Sequence, residues 1–422
     1  MNILSKLYYK FRRAVKFLRL FLLIAGPGII VMVADNDAGG ITTYSATGAR
    51  YGYSLLWFLI LLGPLAFVVQ EMTVRLGAVT KRGHAESIFD AFGPFWGWFS
   101  LADLVLTDWL TLVTEFIGMT AALSIFGVPR LFTVLAVCAI MAFMVLQGRY
   151  WTWEKIAMLF CALNIIYIPA AFLVHPDWSQ VLHGSVIPSL PGGASSDLFF
   201  FLMANIGTTI APWMIFFQQS SVVDKGLQEK DIPWEKLDTA VGAVFTIFIA
   251  LFCVILTGTL LRGSTVGSAD EAARMLMGVN HTLGSLLAIG LFNAGFLGAI
   301  CISLATSWAF GEVFGWAHSL NQNVREAPWF YAFYFLMILT AGGVVLIPGA
   351  PLVLITLFVQ VVATTLLSAS LLFLLLLLNE ESIMGRFRNT LWQNVIGTTI
   401  VVSIIVLSTL YSISVVFPHL FG

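Results

Sequence analysis

Charge is what this 422-residue chain has least of. Asp, Glu, Lys and Arg together make up 10% of it against 59% hydrophobic residues, and mean hydropathy is +0.93. That balance excludes an ordinary soluble domain and fits a polytopic α-helical membrane protein. Cysteine is almost as sparse. Cys138, Cys161, Cys253 and Cys301 all fall in apolar runs, with no Cys-x-x-Cys spacing. They read as buried thiols packing as small hydrophobes, in preference to disulfides or soft-metal ligands. Histidine is missing from span interiors, because His84, His175, His183, His281, His318 and His419 fall in loops or at span ends. The chain has no linker and no low-complexity tract. Its loops lack the paired Asp-rich or His-rich motif that an integral-membrane enzyme would need. Short alternating strands are absent too, and the apolar runs are too long and uniform for a β-barrel.

What is present is a series of about eleven runs long enough to cross a bilayer. They lie near 20–48, 53–79, 96–126, 131–146, 153–174, 198–223, 240–261, 283–316, 329–346, 352–378 and 391–417. With the amino terminus in the cytoplasm, only Arg50, Arg130, Arg262 and Arg274 fall outside, which leaves 17 of the 21 Lys and Arg inside. Such a bias sets the orientation in the cell membrane, and an odd span count puts the carboxyl terminus outside. Residues 1–19 form a basic, cytoplasmic, lipid-surface segment. No small-residue cleavage site follows it, so 20–422 read as a single transmembrane domain.

Two of the runs are broken in their middles. The first is interrupted by Asp35-Asn36-Asp37-Ala38-Gly39-Gly40 and the sixth by Ala211-Pro212-Trp213. A charged, glycine-rich interruption is expensive in lipid, which offers backbone and carboxylate no partners. If spans 1–5 and 6–10 form an inverted repeat, the two breaks occupy equivalent places and face one another around a substrate at mid-membrane. One break carries carboxylates, so the expected substrate is a cation.

Asp37 leads the candidates. Glycines beside it let the chain unwind and expose carbonyls. Carbonyls plus one carboxylate make a hard-oxygen site of the kind Mg²⁺, Ca²⁺, Mn²⁺ or Na⁺ accepts. The alternative is pairing with a buried base, and no base lies in a membrane core. Asp35, two residues earlier, points elsewhere on a helix, and either lines a vestibule, hydrogen-bonds Asn36 or a neighbouring threonine, or takes a direct role. Pro212 clashes with the carbonyl of Thr208 and frees oxygens there, or merely kinks the helix. Gln218 and Gln219 either bind a hydration shell or cross-link helices. Glu115, deep in span 3, is part of an ion path or a structural carboxylate bonded to a broken helix. Asp103 and Asp108 lie on the same span and are expected to line an aqueous cavity. Glu71 sits four residues before Arg75, the spacing of an ordinary helical ion pair. Met214 is the one thioether near the second break, and on a helix it would be rotated away from Ala211.

At these residues the chain resembles the Nramp family of divalent-metal transporters. Gly26-Pro27-Gly28 opens span 1 and Tyr51-Gly52-Tyr53-Ser54-Leu55-Leu56-Trp57 follows it, as in that family. The family's Asp-Pro-Gly-Asn falls on Asp37-Ala38-Gly39-Gly40, its Met-Pro-His on Ala211-Pro212-Trp213, and its Glu-Val-Ile-Gly on Glu115-Phe116-Ile117-Gly118. The resemblance covers essentially the whole membrane domain and implies a leucine-transporter-type fold with alternating access. It also implies ligands at Asp37, at Gly40, at the Thr208 carbonyl and at Ala211, where the asparagine and the soft methionine of the family are gone. The family histidine is Trp213, and the acidic residue three before Glu115 is Leu112. This pattern is similar to the Nramp-related magnesium transporters. It implies Mg²⁺ uptake with Mn²⁺ tolerated, no obligatory proton coupling, and a roomier cavity in which the ion keeps water. The cation is substrate, no cofactor is implied, and the bilayer is the only other partner, with no nucleic acid and no obligatory protein. Rival readings are a proton-coupled Mn²⁺/Fe²⁺ carrier and an amino-acid carrier of the same fold. Asp37 would repel the carboxylate of an amino acid.

Overall fold

The computed structural model describes residues 25–193 and 195–416. The basic segment 1–19, the start of the first run and the expected outer carboxyl end lie outside the described residues. Within them the chain is helical, in the order α1 Pro27–Ala34, α2 Ala38–Tyr51, α3 Leu56–Thr80, α4 His84–Phe92, α5 Pro94–Ser124, α6 Arg130–Val145, α7 Tyr150–Leu163, α8 Tyr167–Leu173, α9 Trp178–Val186, α10 Ser196–Gly207, α11 Pro212–Asp224, α12 Ile232–Leu260, α13 Ala269–Val279, α14 His281–Phe314, α15 Pro328–Val345, α16 Leu352–Asn379 and α17 Leu391–Val416.

All eleven expected runs appear. The first is the pair α1–α2, the fifth is α7–α8, the sixth is the pair α10–α11, and the others are single helices. Among the described residues nine segments are long and apolar enough to cross a membrane, with α6 shorter and the first run split. The breaks fall in the first and sixth runs, five crossings apart, as an inverted repeat requires. Proline opens α1, α5, α11, α12 and α15, where its missing N–H costs nothing and its fixed φ suits the first turn.

One detail differs from the sequence reading. The run expected as one helix over 153–174 contains a 3-10 turn at Asn164–Ile166, where the Asn164 side chain accepts from Asn293 of α14. The stretches between the apolar runs, 176–197 and 262–282, each hold a short helix, α9 and α13. Asp177 caps α9, accepting from the Gln180 side chain and from the Gln180 and Ser179 N–H groups, which holds its carboxyl below the usual range.

Lipid gives helices no hydrophobic reason to associate, so close packing through small residues does that work. A β carbon added at Gly28 of α1 would lie 2.6 Å from the Thr239 nitrogen of α12. One added at Gly242 of α12 would lie 2.8 Å from the Gly28 carbonyl. The amino end of α1 therefore lies directly on α12, and the break that follows is placed against α5 and α14. The four cysteines are free and buried, as expected. The Glu71–Arg75 pair forms at 3.3 Å, with Lys236 a second partner of Glu71 at 2.7 Å.

Candidate functional site

Helix α1 stops at Asp35, whose backbone is still helical, and the chain unwinds over Asn36 and Asp37. Asp37 is extended and caps α2, its Oδ1 accepting from the Gly40 N–H at 2.6 Å. Glu115 reaches across from α5 and accepts from the Ala38 N–H at 2.9 Å. Two carboxylates thus satisfy amides at the start of one buried helix, where the helix dipole also favours negative charge. Glu115 is fully buried and Asp37 is 3% exposed. Span 8 closes over them: a β carbon on Gly298 would lie 2.8 Å from Asp37 Cβ and 3.0 Å from Glu115 Oε2.

The opposite break belongs to Thr208–Ala211. Thr208 ends α10, and Ala211 precedes the Pro212 that starts α11. The two breaks meet at Gly40. Beyond it, the place a β carbon would take lies 2.6 Å from Thr208 Oγ1, 3.1 Å from the Asp35 carbonyl and 3.4 Å from Asp37 Oδ1. Thr208 Oγ1 is buried without a hydrogen-bond partner, and so are both carboxylate oxygens of Asp35. A carboxylate, a carbonyl and a hydroxyl therefore converge where the glycine leaves no side chain. Every one of these atoms is oxygen.

Other candidates fall differently. The Thr208 carbonyl, expected to be free, accepts from the Tyr44 hydroxyl at 3.2 Å, because Tyr44 lies two turns beyond Asp37 and reaches back to the break. Met214 corrects the sequence reading. Its sulfur is not turned away: it folds back over the first turn and accepts the Ala211 N–H at 3.3 Å, an orphan donor at a helix start. Trp213 packs edge-on against Phe217, 6.0 Å between centroids, within a set of rings that includes Trp153 and Trp308. Gln218 donates to Thr239 on α12, and Gln219 Oε1 lies 3.0 Å from His84 Nδ1 of α4, so both cross-link helices. Asp108 accepts from Thr306 and Asp103 from Ser370, which ties α5 to α14 and α16.

The room expected beside Gly39 and Gly40 is filled in this state. Thr208 occupies the space over Gly40, and the Gln360 side-chain nitrogen lies over Gly39 with no hydrogen-bond partner. Gln360 escaped the sequence reading. Its only signal there is an amide near the middle of the apolar run 352–378, a position where polar groups tend to be functional.

A helical bundle with its first and sixth runs broken toward one another defines the leucine-transporter class of membrane fold. Solved structures agree on the architecture. A manganese transporter of Eremococcus coleocola superposes with a TM-score of 0.76 at 21% identity, covering 94% of this chain and 87% of that one. MhsT in complex with L-phenylalanine superposes at 0.58 and 14% identity, over 92% and 98%. Within that class, residues 28–414 match the family described as Nramp, natural resistance-associated macrophage protein-like, and the chain belongs to it. Curated relatives include the divalent metal cation transporter MntH of Caldanaerobacter subterraneus, 27% identical over 70% of this chain and 67% of the relative. MntH of Agrobacterium fabrum is 26% identical over 94% of this chain and 87% of its own length.

Proposed function

We propose that this protein carries divalent cations across the cell membrane by alternating access, with Mg²⁺ as its principal substrate and Mn²⁺ tolerated. The convergence of Asp37 Oδ1, the Asp35 carbonyl and Thr208 Oγ1 beyond Gly40 carries this reading, because oxygen donors of that kind suit a hard cation. Asp37 supplies the anionic ligand. Gly40, Thr208 and Ala211 shape the two broken ends around it, and Gln360 adds an amide from α16. The relatives' names support divalent-metal transport, and Ala211 stands where the family's thioether would favour a transition metal. An inside-negative potential favours entry of a doubly charged ion by about 4–5 kcal/mol per 100 mV, so uptake needs no proton gradient. The protein would work with its amino terminus in the cytoplasm.

A second reading, a Mn²⁺ carrier like its MntH relatives, is favoured by the Met214 sulfur at the second break. The substitution Ala211→Met separates the two. A thioether added at that position should move the Mn²⁺-to-Mg²⁺ uptake ratio about tenfold toward Mn²⁺, the effect of one soft ligand worth about 1.4 kcal/mol. The ratio of initial rates in proteoliposomes measures it. A wild-type protein that already refuses Mg²⁺, with a ratio unmoved by the substitution, favours the Mn²⁺ carrier.

A further inference from the structure

The end of α1 nearest residue 25 is held by a second set of carboxylates, away from the breaks and on the side the basic residues assign to the cytoplasm. Gly26 and Gly28 both donate their N–H to Asp238 Oδ2 of α12, at 3.1 and 2.7 Å. Lys225, at the end of α11, donates to Glu154 Oε1 of α7 at 2.6 Å and to the Ala25 carbonyl at 3.2 Å. One turn before Asp238, Glu235 is 0% exposed, and neither of its oxygens has a hydrogen-bond partner. The second oxygen of Asp238 has none either.

Glu235 and Asp238 are three residues apart on one helix, so they share a face. Glu235 lies close enough to Asp238, Glu154 and Lys225 to feel the charge of each. Among the described residues three carboxylates, Glu154, Glu235 and Asp238, thus share the Lys225 ammonium, and Glu154 also feels the charge of Lys155. A buried carboxylate without a partner, as Glu235 is, is costly unless a proton or a cation neutralises it. Three partnerless oxygens on adjacent carboxylates, with no nitrogen or sulfur ligand among them, suit a hard divalent ion.

We propose that Glu235 and Asp238 form a second divalent-cation site on the exit path, which the ion occupies when α1 lets go of Asp238. This rests on the reading of the protein as a divalent-cation carrier. The α1 amides and the ion compete for the same carboxylate. In this structure Asp238 Oδ2 is taken by Gly26 and Gly28, and three oxygens of the two carboxylates are free. Once α1 tilts away, a fourth becomes available and the site binds. An ion held there therefore favours the open state over the closed one, by the difference of its affinity for the two.

The test is equilibrium binding of Mn²⁺ to the full-length protein, read from the electron paramagnetic resonance of free Mn²⁺. Asp37→Ala should lose the mid-membrane ion and keep one weaker binding event. Adding Glu235→Gln or Asp238→Asn to Asp37→Ala should weaken that event at least about tenfold, while Glu235→Asp, which keeps the carboxylate, should restore it. Melting temperatures establish that each variant is folded. If Asp37→Ala binds nothing while the wild type binds one ion, or if the added substitutions change nothing, these carboxylates are protonated structural groups. The second site is then overturned and divalent transport stands. A wild type that binds no Mn²⁺ at millimolar concentration overturns the carrier reading, and this site with it.

Discussion

Replacing Asp37 with alanine is expected to lower divalent-cation uptake at least about a hundredfold while leaving a folded protein. The loss follows from the electrostatics of the break. A doubly charged ion at mid-membrane would have carbonyls, hydroxyls and an amide around it, but Asp37 is the only carboxylate among the oxygens converging beyond Gly40. Dipoles alone do not replace a full charge where water is scarce, and a hundredfold is only about 2.7 kcal/mol. Folding should survive because Asp37 contributes one cap, worth about 1 kcal/mol, and Glu115 still holds the Ala38 N–H. Uptake of Mn²⁺ into proteoliposomes, with a melting curve on the same preparation, measures both halves. Wild-type rates from the variant would remove Asp37 from the site.

Glu115 yields the second large effect, and here two substitutions should diverge. Glu115→Ala leaves the buried Ala38 N–H without its acceptor, a cost of about 1–3 kcal/mol, and unties the start of α2 from α5. Uptake should fall at least about tenfold with a lowered melting temperature. Glu115→Gln keeps an oxygen in the same place and should stay within about threefold of wild type in uptake, because a positioning role needs an acceptor and no charge. That contrast bears on mechanism. A carboxylate that must give and take a proton in every cycle cannot be replaced by an amide, so a glutamine variant as impaired as alanine would point to proton coupling through Glu115.

The architecture was legible because a membrane leaves few options. Runs of about twenty apolar residues, the distribution of lysine and arginine, and two breaks five spans apart lead to the same class of fold. Asp37 was legible for the same reason, as a carboxylate where lipid offers no partner. The neighbours it would meet were not. Tyr44 and Gln360 are separated from Thr208 and Gly39 by 164 and 321 residues of chain. No local pattern announces such contacts. Met214 shows how a correct local rule can fail. On a regular helix its position is rotated away from Ala211, but the first turn leaves an unpaired N–H, and a flexible thioether bends back to meet it. The same holds for the two glycines of the first break. Their missing side chains suggested open space, and in the folded chain Thr208 and Gln360 fill it. No pattern in the sequence singles out Asp238 and Glu235. Only the packing of α1 on α12 brings them to a buried cluster.

Mg²⁺ flux driven by voltage alone tests the central claim most directly. Purified protein in liposomes would be given an inside-negative potential, no pH gradient and external Mg²⁺, with internal Mg²⁺ followed by a fluorescent indicator. A hard-cation uniporter should take up Mg²⁺ under these conditions, faster as the potential grows and without acidifying the lumen. No Mg²⁺ entry, from a preparation that does carry Mn²⁺ and acidifies the lumen as it does so, would contradict it and make this chain a proton-coupled transition-metal carrier.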